Sequence, residues 1–140
     1  MKVYFAGSIK GGRTYSRSYR LIVDAISRLG LEIFGAHVAQ IDPNHGEPGP
    51  REVFKRDISW LRAADMVIAE VTQPSIGVGY EIAFALSLKK PVLCLYRKDV
   101  DIDLLSFMIL GNAEPNFNLR TYDDSSINLI LSDFIVSTND

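Results

Sequence analysis

Cysteine is almost absent from this 140-residue sequence and histidine is scarce, with one Cys at position 94 and two His at 37 and 45. A single thiol cannot close an intrachain disulfide, and so few soft ligands exclude a Cys/His zinc site. Cys94 sits inside the apolar run PVLCLY (91–96), where a buried, inert thiol is expected. That usage suits a reducing compartment. No stretch approaches the roughly 18 consecutive apolar residues of a membrane span, and the first residues run straight into a strand-like segment without a signal-peptide pattern. The cytoplasm is therefore the expected location, with no membrane partner. An excess of either charge is also lacking: 15 Lys and Arg against 17 Asp and Glu leave a formal net charge of −2. That balance argues against a nucleic-acid polymer as partner while leaving room for a local pocket for one phosphate.

What is present is ordinary globular material, 47% hydrophobic and 23% charged, in a length that suits one domain, 1–140. Short apolar runs rich in β-branched and aromatic residues occur at 2–6 (KVYFA), 31–34 (LEIF), 66–71 (MVIAEV) and 91–96 (PVLCLY). They read as strands buried on both faces. Between them the spacing predicts helices over 14–29, ending at Gly30, over 50–64, opening at Pro50, and over 77–89, ending before Pro91. A weaker strand at 117–121 and a last helix over 124–136 complete an alternating pattern. An α/β fold with a roughly five-stranded parallel sheet, covered by helices on both sides, follows. The stretch QIDPNHGEPGP (40–50) holds too many turn formers for a regular element and reads as an active-site loop.

In such a sheet, ligands sit beyond the carboxyl ends of the strands. After the first strand comes GSIKGGR (7–13). Here Gly7, Ser8 and Ile9 bring backbone amides toward a ligand, and Lys10 and Arg13 add positive charge. It is neither a P-loop nor a dinucleotide fingerprint, and a plain turn is the simpler alternative. After the third strand, EVTQPSIGVGYE (70–81) stops at Pro74 and frees the backbone at Gly77 and Gly79. Ser75 and the nearby amides suit a phosphate, and Glu81 lies in the first turns of the next helix, where the dipole favours its ionised, nucleophilic form. Asp57, in KRDISWL (55–61), stands one turn before Leu61. It is either a surface partner of Arg56 or Arg62, or the second acid that glycosidic cleavage with retention requires. Tyr4 and Phe5 alternate and must face opposite sides of the sheet. His37, after the second strand, could donate a hydrogen bond to a base.

Taken together, YFAGSIKGGR, RDISWLRAADMVIAEVTQPSIGVGYEIAFAL and LSFMILG, in this order, resemble the 2'-deoxynucleoside 5'-phosphate N-hydrolases, a branch of the nucleoside 2-deoxyribosyltransferase superfamily. The likeness spans almost the whole chain, and EVTQPSIGVGYE is its most specific segment. The resemblance implies a flavodoxin-like three-layer sandwich and a homodimer. It also implies hydrolysis of deoxynucleoside 5'-monophosphates to free base and 2-deoxyribose 5-phosphate, without metal or organic cofactor. Glu81 matches the nucleophile that attacks C1', Asp57 the second acid, and Tyr4 the tyrosine that positions nucleophile and sugar. Ser75 and Gly77 match the phosphate site, and Ser106 matches a serine contributed by the partner subunit. One departure is Lys10, where the family pattern has arginine; the charge is kept and the bidentate fork is lost. The competing readings are a deoxyribosyltransferase that exchanges bases, a ribonucleotide N-glycosidase of the CMP type, and a noncatalytic nucleotide-binding module.

Overall fold

The computed structural model describes residues 1–10, 12–40 and 46–140; Gly11 of the first loop and residues 41–45 of the turn-rich stretch lie outside the described residues. Five strands, β1 (Lys2–Ala6), β2 (Glu32–Phe34), β3 (Met66–Glu70), β4 (Val92–Arg97) and β5 (Phe117–Tyr122), form one sheet in the order β2-β1-β3-β4-β5. Every pairing is parallel, with Tyr4 opposite Phe34 on one side and Val67 on the other. Three long helices carry the first three crossovers, α1 (Ser16–Arg28), α2 (Pro50–Ala63) and α3 (Ile76–Ser87), and a fourth, α5 (Ile127–Asn139), lies at the end of the described chain. The sequence does not announce the short α4 (Phe107–Leu110) or the 3-10 turns Ala36–Ala39 and Ile102–Leu104, since segments of one turn carry no readable periodicity.

The sheet divides two apolar clusters, because successive strand residues point to opposite faces. Val3, Phe5 and Ile68 pack with Ile22 and Ile26 of α1 and with Ile130 and Leu131 of α5. Tyr4, Ala6, Val67 and Ala69 pack with Leu61 of α2 and with Val78 and Ile82 of α3. The result is a three-layer α/β sandwich of flavodoxin-like strand order. β3 and β4 are buried along nearly their whole length, as their largely apolar sequences require. β2 is only half buried, because it forms an edge and lacks a neighbour on one side; the reading of that run as covered on both faces does not hold. Among the described residues, no helix is long and apolar enough to cross a membrane.

Local chemistry sets the helix starts. α2 opens with Pro50 at its first turn, a position where the missing N–H costs nothing. α3 opens after Pro74 with Ser75 as N-cap, whose Oγ accepts the amide of Val78 at 3.3 Å. The turn out of β2 depends on Gly35, held at φ +83°, where an added Cβ would meet the carbonyl oxygen of Phe5 at 2.5 Å. Gly35→Ala is therefore expected to cost about 2 kcal/mol, read as a lower urea midpoint with an unchanged m-value; an unaltered midpoint would refute this account of the turn.

Candidate active site

The alternation of β1 sends the Tyr4 side chain to the α2/α3 side of the sheet, where it is 3% exposed. Its hydroxyl is hydrogen-bonded to the Glu81 carboxylate, and Asp57 lies close enough for its charge to act on both groups. Burial, then the charges of Glu81 and Asp57, push the Tyr4 hydroxyl far above the ordinary phenol range. Tyr4 is consequently a neutral donor to Glu81 throughout the physiological range. Glu81 itself is pushed up to about 7, mainly by burial; the Tyr4 bond lowers it and the charge of Asp57 raises it. A place near the start of α3 favours the ionised form, yet loss of hydration is the larger effect. The outcome is a carboxyl poised near neutrality, as acid–base and nucleophilic chemistry both require.

Asp57 occupies the turn of α2 before Leu61, which is wholly buried against the sheet. Its Oδ1 accepts from Arg56 Nε at 2.9 Å, so the ion pair and the approach to Glu81 coexist in one side chain. Two residues that the sequence reading did not single out complete the surroundings. Glu47 Oε2 accepts from Arg56 Nη1 at 2.9 Å, while its Oε1 lies 3.1 Å from His37 Nε2. The Arg56 guanidinium also lies over the Trp60 ring at 4.7 Å, and Trp60 stacks on Phe34 at 5.8 Å between centroids. Burial first, and then the Arg56 cation, hold His37 below the ordinary imidazole range, so its ring is neutral at pH 7; its Nε2 faces both Glu47 Oε1 at 3.1 Å and Arg56 Nη2 at 3.4 Å. The signal for Glu47 was its place in the Pro/Gly-rich stretch read as an active-site loop.

In the first loop, Gly7 is buried, and a Cβ there would touch Val38 Cγ1 at 3.0 Å and Tyr19 at 3.3 Å. The Ser8 amide donates to Tyr19 Oη at 3.1 Å, and Ser8 Oγ is buried with no partner among the described residues. Ile9 packs on the α1 side of the core, and Lys10 is exposed. Arg13 donates to the carbonyls of Ser8 at 3.0 Å and Gln40 at 2.8 Å, so its fork ties the loop together as well as bringing charge.

On α3, Gly77 separates Ser75 from Glu81: a Cβ at Gly77 would lie 4.0 Å from both Ser75 Oγ and Glu81 Oε1. The hydroxyl, the acid and the first amides of α3 thus border one small space. Ser106 caps α4, its Oγ accepting from Met108 N at 3.3 Å. Among the described residues, no hydrogen bond or ion pair joins it to Tyr4, Asp57 or Glu81. It is exposed, as are its neighbours Phe107 and Met108, at 82% and 81%.

Behind the site a second buried cluster fixes the turn leading into α3. Glu70 is wholly buried at the end of β3. It accepts from Thr72 N at 2.6 Å, from Thr72 Oγ1 at 3.0 Å and from the Tyr122 hydroxyl. Arg97 N donates to Thr72 Oγ1 at 2.9 Å. Burial raises the Glu70 carboxyl, and these donors oppose the rise.

A family model described as nucleoside 2-deoxyribosyltransferase matches residues 3–126. A mouse protein named 5-hydroxymethyl-dUMP N-hydrolase is 42% identical over 134 residues, covering 92% of this chain and 76% of its own. A protein of Methanosarcina mazei, provisionally named a 2'-deoxynucleoside 5'-phosphate N-hydrolase, is 41% identical over 136 residues, covering 95% and 83%. Among solved structures, the CMP N-glycosidase of Clostridium botulinum superposes with a TM-score of 0.66 over 94% of this chain and 99% of its own; at 19% identity it speaks to the fold alone.

The electrostatics of the cluster can be checked without any substrate. Carbon-13 NMR of the Glu81 carboxyl should show titration near pH 7. Asp57→Asn should move that midpoint down, because a charge that disfavours ionisation is removed, and Tyr4→Phe should move it up, because a donor to the carboxylate is lost. Shifts of the same sign in both variants would contradict the arrangement.

Proposed function

The chain belongs to the nucleoside 2-deoxyribosyltransferase family and is an N-glycosidase; on that premise we propose that its substrates are 2'-deoxynucleoside 5'-monophosphates, cleaved to free base and 2-deoxyribose 5-phosphate through a covalent intermediate on Glu81. The observation that carries this reading is the convergence of Tyr4, Asp57 and Glu81, with Ser75 and the α3 amides across Gly77 from the nucleophile. The names of the mouse and archaeal relatives, both N-hydrolases of deoxynucleotides, agree with it.

In this mechanism the phosphate is held by Ser75 and the first amides of α3, where the helix dipole favours an anion. The Gly7–Arg13 loop, with Ser8, Ile9 and Lys10, lines the nucleotide, and His37 lies toward the base. Holding the remote phosphate positions C1' against Glu81. The Glu81 carboxylate forms a bond to C1' as the C1'–N bond to the base breaks and the bonding pair leaves with the base, which takes up a proton from solvent, to which Asp57 later returns the one it removes from the attacking water. Positive charge on the sugar in the transition state is balanced by Glu81 and Asp57. Water, relieved of a proton by Asp57, then attacks C1', regenerates Glu81 and gives the sugar phosphate with retention. Tyr4 holds the attacking carboxylate in line and exchanges partners as its charge is consumed and restored. No metal or organic cofactor enters the scheme, and the chain acts as one catalytic domain in the cytoplasm, where nucleotides and a reduced Cys94 coexist.

The functional unit in this reading is a homodimer. Ser106 sits among Leu104, Phe107 and Met108, each at least 71% exposed, and Ile76, at 95%, opens α3 beside Ser75. Large apolar side chains this exposed mark a surface that is normally covered. A second copy would cover them and bring Ser106 of the partner subunit to the phosphate.

The deciding assay measures base released from dGMP, dCMP, deoxyguanosine, GMP and CMP, each with and without a second free base, beside Glu81→Ala. Release from the deoxynucleotides alone, lost in the variant, is the expected result. Product only with a nucleoside and acceptor base would make the chain a transferase, and faster release from GMP or CMP would make it a ribonucleotide glycosidase. For the dimer, Phe107→Asp combined with Met108→Asp should halve the mass seen by light scattering and lower activity about a hundredfold; a fully active monomer would remove Ser106 from the site.

A further inference from the structure

Arg56 makes an unusual contact for a helical residue. Neighbours at i and i+1 do not face each other on a helix, yet Arg56 Nε reaches the carboxylate of Asp57, the next residue, at 2.9 Å. Such a side chain has to be bent back and held. Two features hold it: Glu47 takes Nη1 at 2.9 Å from the segment before α2, and Trp60, one turn further on, lies beneath the guanidinium at 4.7 Å. The three charged side chains are 26% (Arg56), 18% (Glu47) and 21% (Asp57) exposed, so water competes far less than at an ordinary surface pair. The planar fork of arginine suits this task, with one edge for each carboxylate.

We propose that Arg56 and Glu47 are positioning residues for the reaction: Glu47 braces the guanidinium, and the guanidinium fixes one oxygen of Asp57, so that the second acid is presented to Tyr4 and Glu81 at a set angle. The inference rests on the glycosidase reading of the site. It extends that reading to two residues that touch neither nucleophile nor sugar, and it gives the segment before α2 a purpose, since Glu47 ties that segment both to α2 and, through His37, to the turn after β2.

The charge balance points the same way. The charged groups acting on Tyr4 are Glu81 from α3 and Asp57 and Arg56 from α2, and Arg56 in turn faces Glu47 from the preceding segment and His37 from the turn after β2. Arg56 is the only cation this set supplies, since His37 is neutral at pH 7. Without it, three carboxylates would share a half-buried space, and Glu81 would take up its proton at a higher pH because nothing would offset the charge of Asp57.

The test compares kcat, KM and the acidic limb of the rate profile, from pH 5.5 to 9, for the wild type, Arg56→Gln, Arg56→Lys and Glu47→Gln. Arg56→Gln should lower kcat roughly tenfold to a hundredfold, leave KM for the nucleotide within about twofold, and move the acidic limb to higher pH. Arg56→Lys should bring the limb back without restoring kcat, because an ammonium supplies the charge but cannot span both carboxylates. Glu47→Gln should lower kcat less than Arg56→Gln. Nitrogen-15 titration of His37 provides a readout that needs no activity: its midpoint should rise in Arg56→Gln, where a neighbouring cation is lost, and fall in Glu47→Gln, where a neighbouring anion is lost. An unmoved His37 in both variants, or an Arg56→Gln enzyme with wild-type kcat and limb, would overturn the brace. Failure of the wild type to release base from any nucleotide would overturn the reaction itself, an outcome separable from the first because the His37 titration is read independently.

Discussion

The chemistry rests on a single buried hydroxyl. Because β1 lies inside the sheet, with β2 on one side and β3 on the other, its side chains have only two directions, and Tyr4 takes the one facing α2 and α3. A phenol there must find an acceptor, and the acceptor is Glu81. The acid thereby loses part of its water while keeping one donor, and its proton affinity reflects that balance. The arrangement bears on stability as well. The ordinary glutamate value is about 4.3, below the folded value of about 7. The contribution of Glu81 to stability is therefore complete below the unfolded value and is lost as pH rises through the folded one. At the pH where the carboxylate is ionised, it also works against the fold that holds it.

Strand alternation governs the opposite side of the sheet too. Glu70 shares the parity of Ile68, whose side chain faces α1 and α5, and it meets Tyr122 across 52 residues of sequence. Its bonds to Thr72 tie down the turn that ends β3, and that turn delivers Pro74, Ser75 and α3. Two carboxylates on one segment, Glu70 wholly buried and Glu81 half-buried, thus have different surroundings. Glu70 is surrounded by donors and shapes the backbone, whereas Glu81 has one described donor and a neighbouring negative charge.

Much of this was legible in the sequence, for identifiable reasons. The apolar runs at 66–71 and 91–96 belong to β3 and β4, whose near-complete burial leaves Glu70 as the one charged residue inside them. Pro50 and Pro74 mark the starts of α2 and α3 to within two residues. Tyr4, Asp57 and Glu81 are grouped by the family resemblance; strand alternation by itself says only that Tyr4 and Phe5 face opposite sides of the sheet. The pairing of Arg56 with Asp57 was one of the alternatives the sequence offered, but the links from Arg56 to Glu47 and from Glu47 to His37 were hidden, because side chains that bend toward one another across a loop follow no period. The bond between Glu70 and Tyr122 was hidden for a different reason: only the strand order brings β3 and β5 to either side of β4.

Cys94 has a practical consequence. Its thiol lies in the middle of β4 with no exposed surface, and burial pushes it up to about 12. Alkylating reagents act on thiolates they can reach, so the native fold presents them with no target despite its cysteine. A cysteine introduced at an exposed position such as Lys10 would be the one reactive thiol of the folded chain. A fluorophore placed there would report on the mouth of the first loop without modifying the core.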